Sequence, residues 1–223
     1  MAFQKTPVRS RILLADDHTL MLEGIRLMLE PEFELVGSVE DGQALLVAAR
    51  KLVPDVILLD ISMPLLNGID AAIQLRKILP SAKVIFVTMH ADRDYVTEAF
   101  RSGASGYLLK RAAASELLTA VREVLKGNYY VSPLVTRNTL GSLIASPLAD
   151  GKLSHNLTSR QREVLQLVAE GHSRKEVAAI LHISVKTVEF HKASLARELL
   201  LKTPADFTRY AMEHGMIPPE RST

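Results

Sequence analysis

The chain contains no cysteine and no tryptophan, and aromatic residues make up 5% of its 223 positions. The lack of cysteine excludes disulfides, thiolate catalysis and Cys-ligated zinc, and fits a reducing compartment. The seven histidines, at 18, 90, 155, 172, 182, 191 and 214, include no pair at the i, i+3 or i, i+4 spacing of a helical metal site. So few aromatics argue against an aromatic-lined pocket for a small-molecule effector. No run approaches the ~20 apolar residues of a membrane span. Residues 1–10 are polar and lack the apolar centre of a signal peptide. The expectation is a cytoplasmic protein with no membrane partner.

Apolar content of 48% is ample for a core, and the formal net charge is only +2. That charge is uneven. Residues 1–128 carry 15 Lys and Arg against 16 Asp and Glu, a balance of −1, whereas residues 152–223 carry 11 against 8, a balance of +3. The basic tail permits a nucleic-acid role.

Through the first half, short apolar runs alternate with amphipathic stretches. Strands are predicted over 11–15, 33–39, 55–59, 83–87 and 106–109. Helices are predicted over 19–29, 43–52, 68–79, 93–102 and 114–126. Five such βα units predict an α/β doubly wound, five-stranded parallel sheet. Ligands in such sheets bind outside the carboxyl ends of the strands, at a topological switch point. Asp16 and Asp17 end the first strand and Asp60 ends the third. Three carboxylates converging there repel unless a cation sits among them, which points to a hard metal beside a carboxylate able to act as a nucleophile. Thr88 and Lys110 end two further strands at the same edge.

From 128 to 154 the pattern weakens around Pro133, Gly141, Pro147 and Gly151, which reads as a linker with a short helix over 134–144. The remainder is a small all-α unit, with helices over 160–170, 175–181, 186–200 and 205–214. Thr158 and Ser184 are the predicted N-caps of the first and third. A seven-residue helix, the turn His182-Ile183-Ser184 and a longer helix make a helix-turn-helix, whose second helix enters the major groove of DNA.

The stretches Leu13-Leu14-Ala15-Asp16-Asp17-His18, Asp60-Ile61-Ser62-Met63-Pro64 with Asn67-Gly68, Val87-Thr88 and Gly103 to Lys110 resemble the receiver domain of two-component response regulators. That fold is flavodoxin-like, and the likeness spans residues 9–127. The resemblance implies that Asp60 accepts a phosphoryl group from a sensor histidine kinase. It implies Mg²⁺ held by Asp17 directly, by Asp16 through water, by Asp60 and by the backbone carbonyl of Ser62. Lys110 would pair with a phosphoryl oxygen, Thr88 would move toward it, and Tyr107 would turn inward with that movement. Ser62 and His90 would flank the attacking water and tune dephosphorylation. The chemistry suits these residue types, because charge growing on the phosphoryl oxygens needs a divalent ion and an ammonium.

Residues 155–217 resemble the LuxR-type DNA-binding domain, through Leu157-Thr158-Ser159-Arg160-Gln161-Arg162-Glu163-Val164-Leu165, Lys175-Glu176-Val177-Ala178 and Ser184 to His191. Together the two halves resemble the NarL/FixJ class. By that resemblance Val185–Leu199 is the recognition helix. Arg174, Lys175, Lys186, Thr187 and Lys192 would reach phosphates or groove edges, and Glu189, Phe190 and Ala193 would sit at the bases. Phe190 reads equally well as an intramolecular packing residue.

The implied protein is a transcription factor that binds a two-fold double-stranded DNA site as a homodimer when phosphorylated. It is expected not to be an enzyme but a stoichiometric acceptor with slow self-dephosphorylation. An aspartate-nucleophile phosphohydrolase would carry a second carboxylate at position 62, where Ser62 stands. Two departures from the pattern are visible. Arg111 follows Lys110 where the family favours proline, which makes a cis bond there costly. Leu200 stands where the family favours glycine, so the recognition helix is expected to run on or end differently before Pro204.

Overall fold

The computed structural model describes residues 9–137 and 157–218. Its first part is a parallel sheet in the order β2-β1-β3-β4-β5-β6. The strands are β1 (Arg11–Ala15), β2 (Glu34–Val39), β3 (Val56–Leu59), β4 (Lys83–Thr88), β5 (Gly106–Leu109) and β6 (Tyr130–Val131). The helices between them are α1 (Thr19–Leu29), α2 (Gly42–Leu52), α3 (Gly68–Ile78), α4 (Arg93–Arg101) and α5 (Ala113–Leu125). β3 and β5 are buried along their whole length, as befits central parallel strands covered on both faces. Two apolar clusters fill the two sides. Leu13, Ile57 and Phe86 face α2, α3 and α4, while Ile12, Leu58 and Ile85 face α1 and α5.

The sheet has six strands rather than five. The sixth, Tyr130–Val131, pairs with β5 from within the predicted linker. Two residues are too few for a period-2 pattern to be seen in sequence. Residues 133–137 are helical, and the rest of the helix predicted over 134–144 lies outside the described residues.

Because β1 has β2 on one side and β3 on the other, the connections leaving β1 and β3 diverge and open a crevice above Asp16, Asp17 and Asp60. Close backbone packing shapes that crevice. A Cβ on Gly68 would fall 2.0 Å from the carbonyl oxygen of Asp60, so the start of α3 can press on the loop that follows Asp60 only with glycine there. Asn67 caps α3 by accepting from the Asp70 backbone N–H.

The second part comprises α6 (Ser159–Ala169), α7 (Arg174–Ile180), α8 (Val185–Glu198) and α9 (Pro204–Glu213). Thr158, Ser173 and Thr203 form capping boxes and Ser184 caps α8, which fixes all four helix starts from local sequence. Leu165, Val177, Val188, Leu195 and Phe207 make the core. His182 takes φ 52° in the turn between α7 and α8.

The recognition helix does not run on. It ends at Glu198, and Leu200 adopts the left-handed region at φ 56° despite its Cβ. Leu199 and Leu201 pack against the core on either side, and the Leu201 N–H reaches the Ala196 carbonyl at 2.9 Å. Burying those two neighbours outweighs the backbone cost at Leu200, whose side chain is 82% exposed. The bond after Lys110 is trans, since no peptide among the described residues is cis, and Lys110–Ala112 form a 3₁₀ turn.

Leu200→Gly should therefore stabilise the helical unit by about 1 kcal/mol, the lower end of the left-handed penalty. Thermal denaturation should show a midpoint higher by several degrees. An unchanged or lowered midpoint would mean that Leu200 is unstrained.

Candidate functional site

The carboxyl ends of β1, β3, β4 and β5 bring together the residues singled out from sequence. Asp16 and Asp60 are buried, and Thr88 and Tyr107 have no exposed surface. Lys110 lies among the acids, its Nζ 2.7 Å from Asp16 Oδ2 and 2.8 Å from Asp60 Oδ2. Three carboxylates thus face one ammonium. Burial pushes the Asp60 carboxyl above its ordinary range, and neighbouring Asp16 adds to this, while Lys110 and the Ile61 backbone N–H oppose it. Burial also disfavours the Lys110 ammonium, but Asp60 and Asp16 outweigh it, and its pKa rises.

The site suits a hard divalent cation. Asp16, Asp17, His18 and Asp60 each offer a ligand atom within 4.8 Å of the others. Asp17 Oδ1 is buried, and its close polar neighbour is His18 Nδ1 at 2.7 Å. A buried carboxylate oxygen in such a cluster of acids fits a hard metal ligand.

His18 is the residue sequence reading passed over as a contributor. Its backbone N–H donates to Asp16 Oδ1 at 2.9 Å, and its ring stands 3.4 Å from Lys110 Nζ. It also precedes α1 at the N-cap position. The helical spacing rule for metal sites does not apply to it, because it adjoins Asp16 and Asp17 just after β1 and meets Asp60 from another strand.

Ser62 and His90, paired in sequence only as flanking positions, touch. Ser62 Oγ lies 2.9 Å from His90 Nε2. Burial lowers the His90 pKa, and Lys110 adds to that against Asp92. The imidazole stacks on Tyr95 with ring centroids 4.1 Å apart. Tyr107 already points inward and donates its hydroxyl to the His90 carbonyl at 2.9 Å. Thr88 Oγ1 accepts the His90 backbone N–H at 3.4 Å.

On the second part, Arg174, Lys175, Lys186, Glu189, Phe190 and Ala193 are exposed around α7 and α8. Phe190 is 68% exposed and meets only the edge of His191, which favours an outward role over core packing. Arg174 Nη1 binds Glu189 Oε1 at 2.7 Å across the two helices. Lys192 Nζ lies 5.5 Å from the Phe207 ring centroid, and the Thr187 and Ser184 hydroxyls lie 2.8 Å apart, so these two side chains already have partners.

Residues 12–122 match the response regulator receiver domain, and residues 155–211 match the bacterial regulatory proteins of the luxR family. The transcriptional regulatory protein MctR of Rhizobium johnstonii is 37% identical over 209 residues, covering 93% of this chain and 95% of MctR. The transcriptional regulatory protein DegU of Brevibacillus brevis is 38% identical over 223 residues, covering 93% and 94%. The structure of RcsB from Salmonella enterica serovar Typhimurium, bound to promoter DNA in the presence of the phosphomimetic BeF3−, superimposes with a TM-score of 0.56 at 29% identity. That match covers 91% of this chain and 97% of RcsB. The chain belongs to the two-component response regulators of the NarL/FixJ class, with a receiver domain followed by a LuxR-type DNA-binding domain. Among the described residues no helix is long and apolar enough to cross a membrane.

Lys110→Ala leaves Asp16, Asp17 and Asp60 without their ammonium. It should destabilise the metal-free receiver by about 3 kcal/mol, as for loss of one partner of a buried ion pair. Asp60→Asn should act in the opposite sense. The raised Asp60 pKa means the folded state holds a proton that the unfolded state has lost. Wild-type stability therefore falls as pH rises from the ordinary 3.8 through the raised folded value. Denaturant titrations across that window should show a flatter pH profile for Asp60→Asn, and matching profiles would refute the assignment.

Proposed function

We propose that this chain is a transcription factor switched by phosphorylation of Asp60, with a sensor histidine kinase as donor. The observation that carries the reading is the Lys110 ammonium, shared between Asp16 and Asp60 at a sheet edge where Thr88 and Asp17 also converge. A carboxylate oxygen of Asp60 attacks phosphorus, the P–N bond to the donor imidazole breaks, and an acyl phosphate forms. Lys110 is already on the Asp60 oxygen and pairs with a phosphoryl oxygen of the product. Asp17, Asp60, the Ser62 carbonyl, and Asp16 through water would hold Mg²⁺, which supplies positive charge against the phosphoryl oxygens. The Thr88 hydroxyl donates to the new acceptor oxygens and draws the end of β4 toward them.

Ser62 and His90 close one side of the site through their hydrogen bond and set the lifetime of the acyl phosphate. With Ser62 where a hydrolase carries its general acid, the protein is a stoichiometric acceptor that dephosphorylates slowly, not a turnover enzyme. It works in the cytoplasm, where kinase and chromosome are both within reach.

The output is double-stranded DNA with a two-fold site, bound by a homodimer. The RcsB likeness supports this, as that protein was solved on promoter DNA with a phosphomimetic. Arg174, Lys175, Lys186, Thr187 and Lys192 serve the phosphates, and Glu189, Phe190 and Ala193 serve the base edges.

With acetyl phosphate and Mg²⁺ the wild type should gain one phosphoryl group per chain, and Asp60→Asn none, as read by intact mass. DNA affinity should rise roughly tenfold with beryllofluoride, within the usual range of coupling between two sites. Equal affinity for untreated, beryllofluoride-treated and Asp60→Asn protein would remove the switch. Glu189→Ala should cost about 1–3 kcal/mol of discrimination at one base pair with little change in salt dependence. Lys186→Ala should instead weaken all sequences alike and lower the salt slope by about 1. Indistinguishable salt slopes for the two variants would overturn that division of roles.

A further inference from the structure

His18 is the last residue before α1 and stands at the mouth of the acidic site. At an N-cap a polar side chain ordinarily accepts a hydrogen bond from the first turn, but the His18 ring makes no such bond. Its Nδ1 is turned into the acids instead. It lies 2.7 Å from Asp17 Oδ1, 3.1 Å from Asp16 Oδ1 and 3.4 Å from Lys110 Nζ. The His18 side chain is 47% exposed, against 19% for Asp17 and 4% for Asp16 and Asp60, so the ring forms the outer wall of the site.

The deeper donors are already engaged. Both Asp16 oxygens meet Lys110, and Oδ1 also accepts the His18 backbone N–H. Asp60 Oδ2 meets Lys110, and its Oδ1 accepts the Ile61 backbone N–H at 2.7 Å. Asp17 Oδ1 and His18 Nδ1 face each other at the open side. Neighbouring ligands on an octahedral ion with bonds of about 2.1 Å are separated by about 3.0 Å. The two separations at Nδ1, 2.7 and 3.1 Å, bracket that value. The ring therefore needs little movement to share an ion with Asp17.

The chemistry of this extra donor is distinctive. Carboxylates and a backbone carbonyl make an all-oxygen set, which suits Mg²⁺, Ca²⁺ and Mn²⁺. An imidazole nitrogen strengthens the binding of first-row transition ions, increasingly from Mn²⁺ to Co²⁺ and Ni²⁺. It adds little for Mg²⁺, which keeps to oxygen ligands and water. The chain has no cysteine and no histidine pair at helical spacing to offer these ions a rival site.

Resting on the reading of the acidic cluster as a metal site, we propose that His18 is a direct metal ligand through Nδ1 and sets the choice of metal. The receiver then takes a first-row transition dication, such as Mn²⁺ or Co²⁺, in preference to Mg²⁺. Acceptance of the phosphoryl group stays with Asp60 and Lys110. The part of His18 is to select the ion and hold it from the solvent side, where Asp16, Asp60 and Lys110 are occupied with one another.

The probe is Mn²⁺ bound to the full-length protein. Pulsed electron paramagnetic resonance should show the nitrogen coupling of a directly bound imidazole, which Mn²⁺ in an all-oxygen site lacks. His18→Asn, which keeps a residue suited to an N-cap, and His18→Ala should both lose that coupling. In competition, Co²⁺ should displace Mn²⁺ from the parent at concentrations at least about tenfold below those of Mg²⁺, and either substitution should narrow the gap at least about fivefold. Bound Mn²⁺ without nitrogen coupling in the parent, coupling that survives both substitutions, or an unchanged gap would overturn the role of His18 alone. No bound Mn²⁺ in the parent would overturn the metal reading of Asp16, Asp17 and Asp60, and the role of His18 with it.

Discussion

The structure depends on how one ammonium is shared between two buried carboxylates, with a third beside them, at the end of a parallel sheet. Lys110 reaches both Asp16 and Asp60, and Asp17 pairs with His18 instead. The balance leaves an excess of negative charge in a buried place, a state that a divalent cation would relieve. The topology is what makes this crowding possible. β1 and β3 are neighbours whose connections diverge, so their carboxyl ends leave a crevice.

From that crevice two backbone stretches lead outward, and each ends on the second domain. Gly68 lets α3 lie against the Asp60 carbonyl, so the 61–67 loop is tightly tied to Asp60. Thr88, His90, Tyr95 and Tyr107 form a contiguous set joined by hydrogen bonds and ring stacking. The paths from the sheet edge to α6 and α9 are therefore short and packed. The contacts there are polar, and such contacts exchange more cheaply for water than an apolar seam would.

Much of this was legible in the chain itself. The alternation of apolar runs with amphipathic stretches marked five strands and the helices between them, because each period is a local property of a few residues. Asp16, Asp17, Asp60, Thr88 and Lys110 could be placed at one edge because they follow those strands. The caps at Thr158 and Ser184 are local hydrogen-bond devices and were visible as such. β6 was not legible, as two residues carry no periodicity. Leu200 was misread because local preference disfavours a left-handed leucine, whereas the burial of Leu199 and Leu201 decides the backbone there. Gln166 was not singled out, since nothing local reveals that its amide is completed by Met63 and Asn67.

By itself, then, the sequence determined the class of fold, the order of its units and the residue types offered to the chemistry. All of these rest on interactions within a few positions along the chain. Tertiary structure alone decided which acid Lys110 touches, that His18 joins the acidic cluster, and that Ser62 meets His90. It also decided that the polar stripe of α6 faces the receiver while the recognition helix faces solvent. These are contacts between residues up to 105 positions apart, and they exist only once the hydrophobic cores have brought distant strands and helices together.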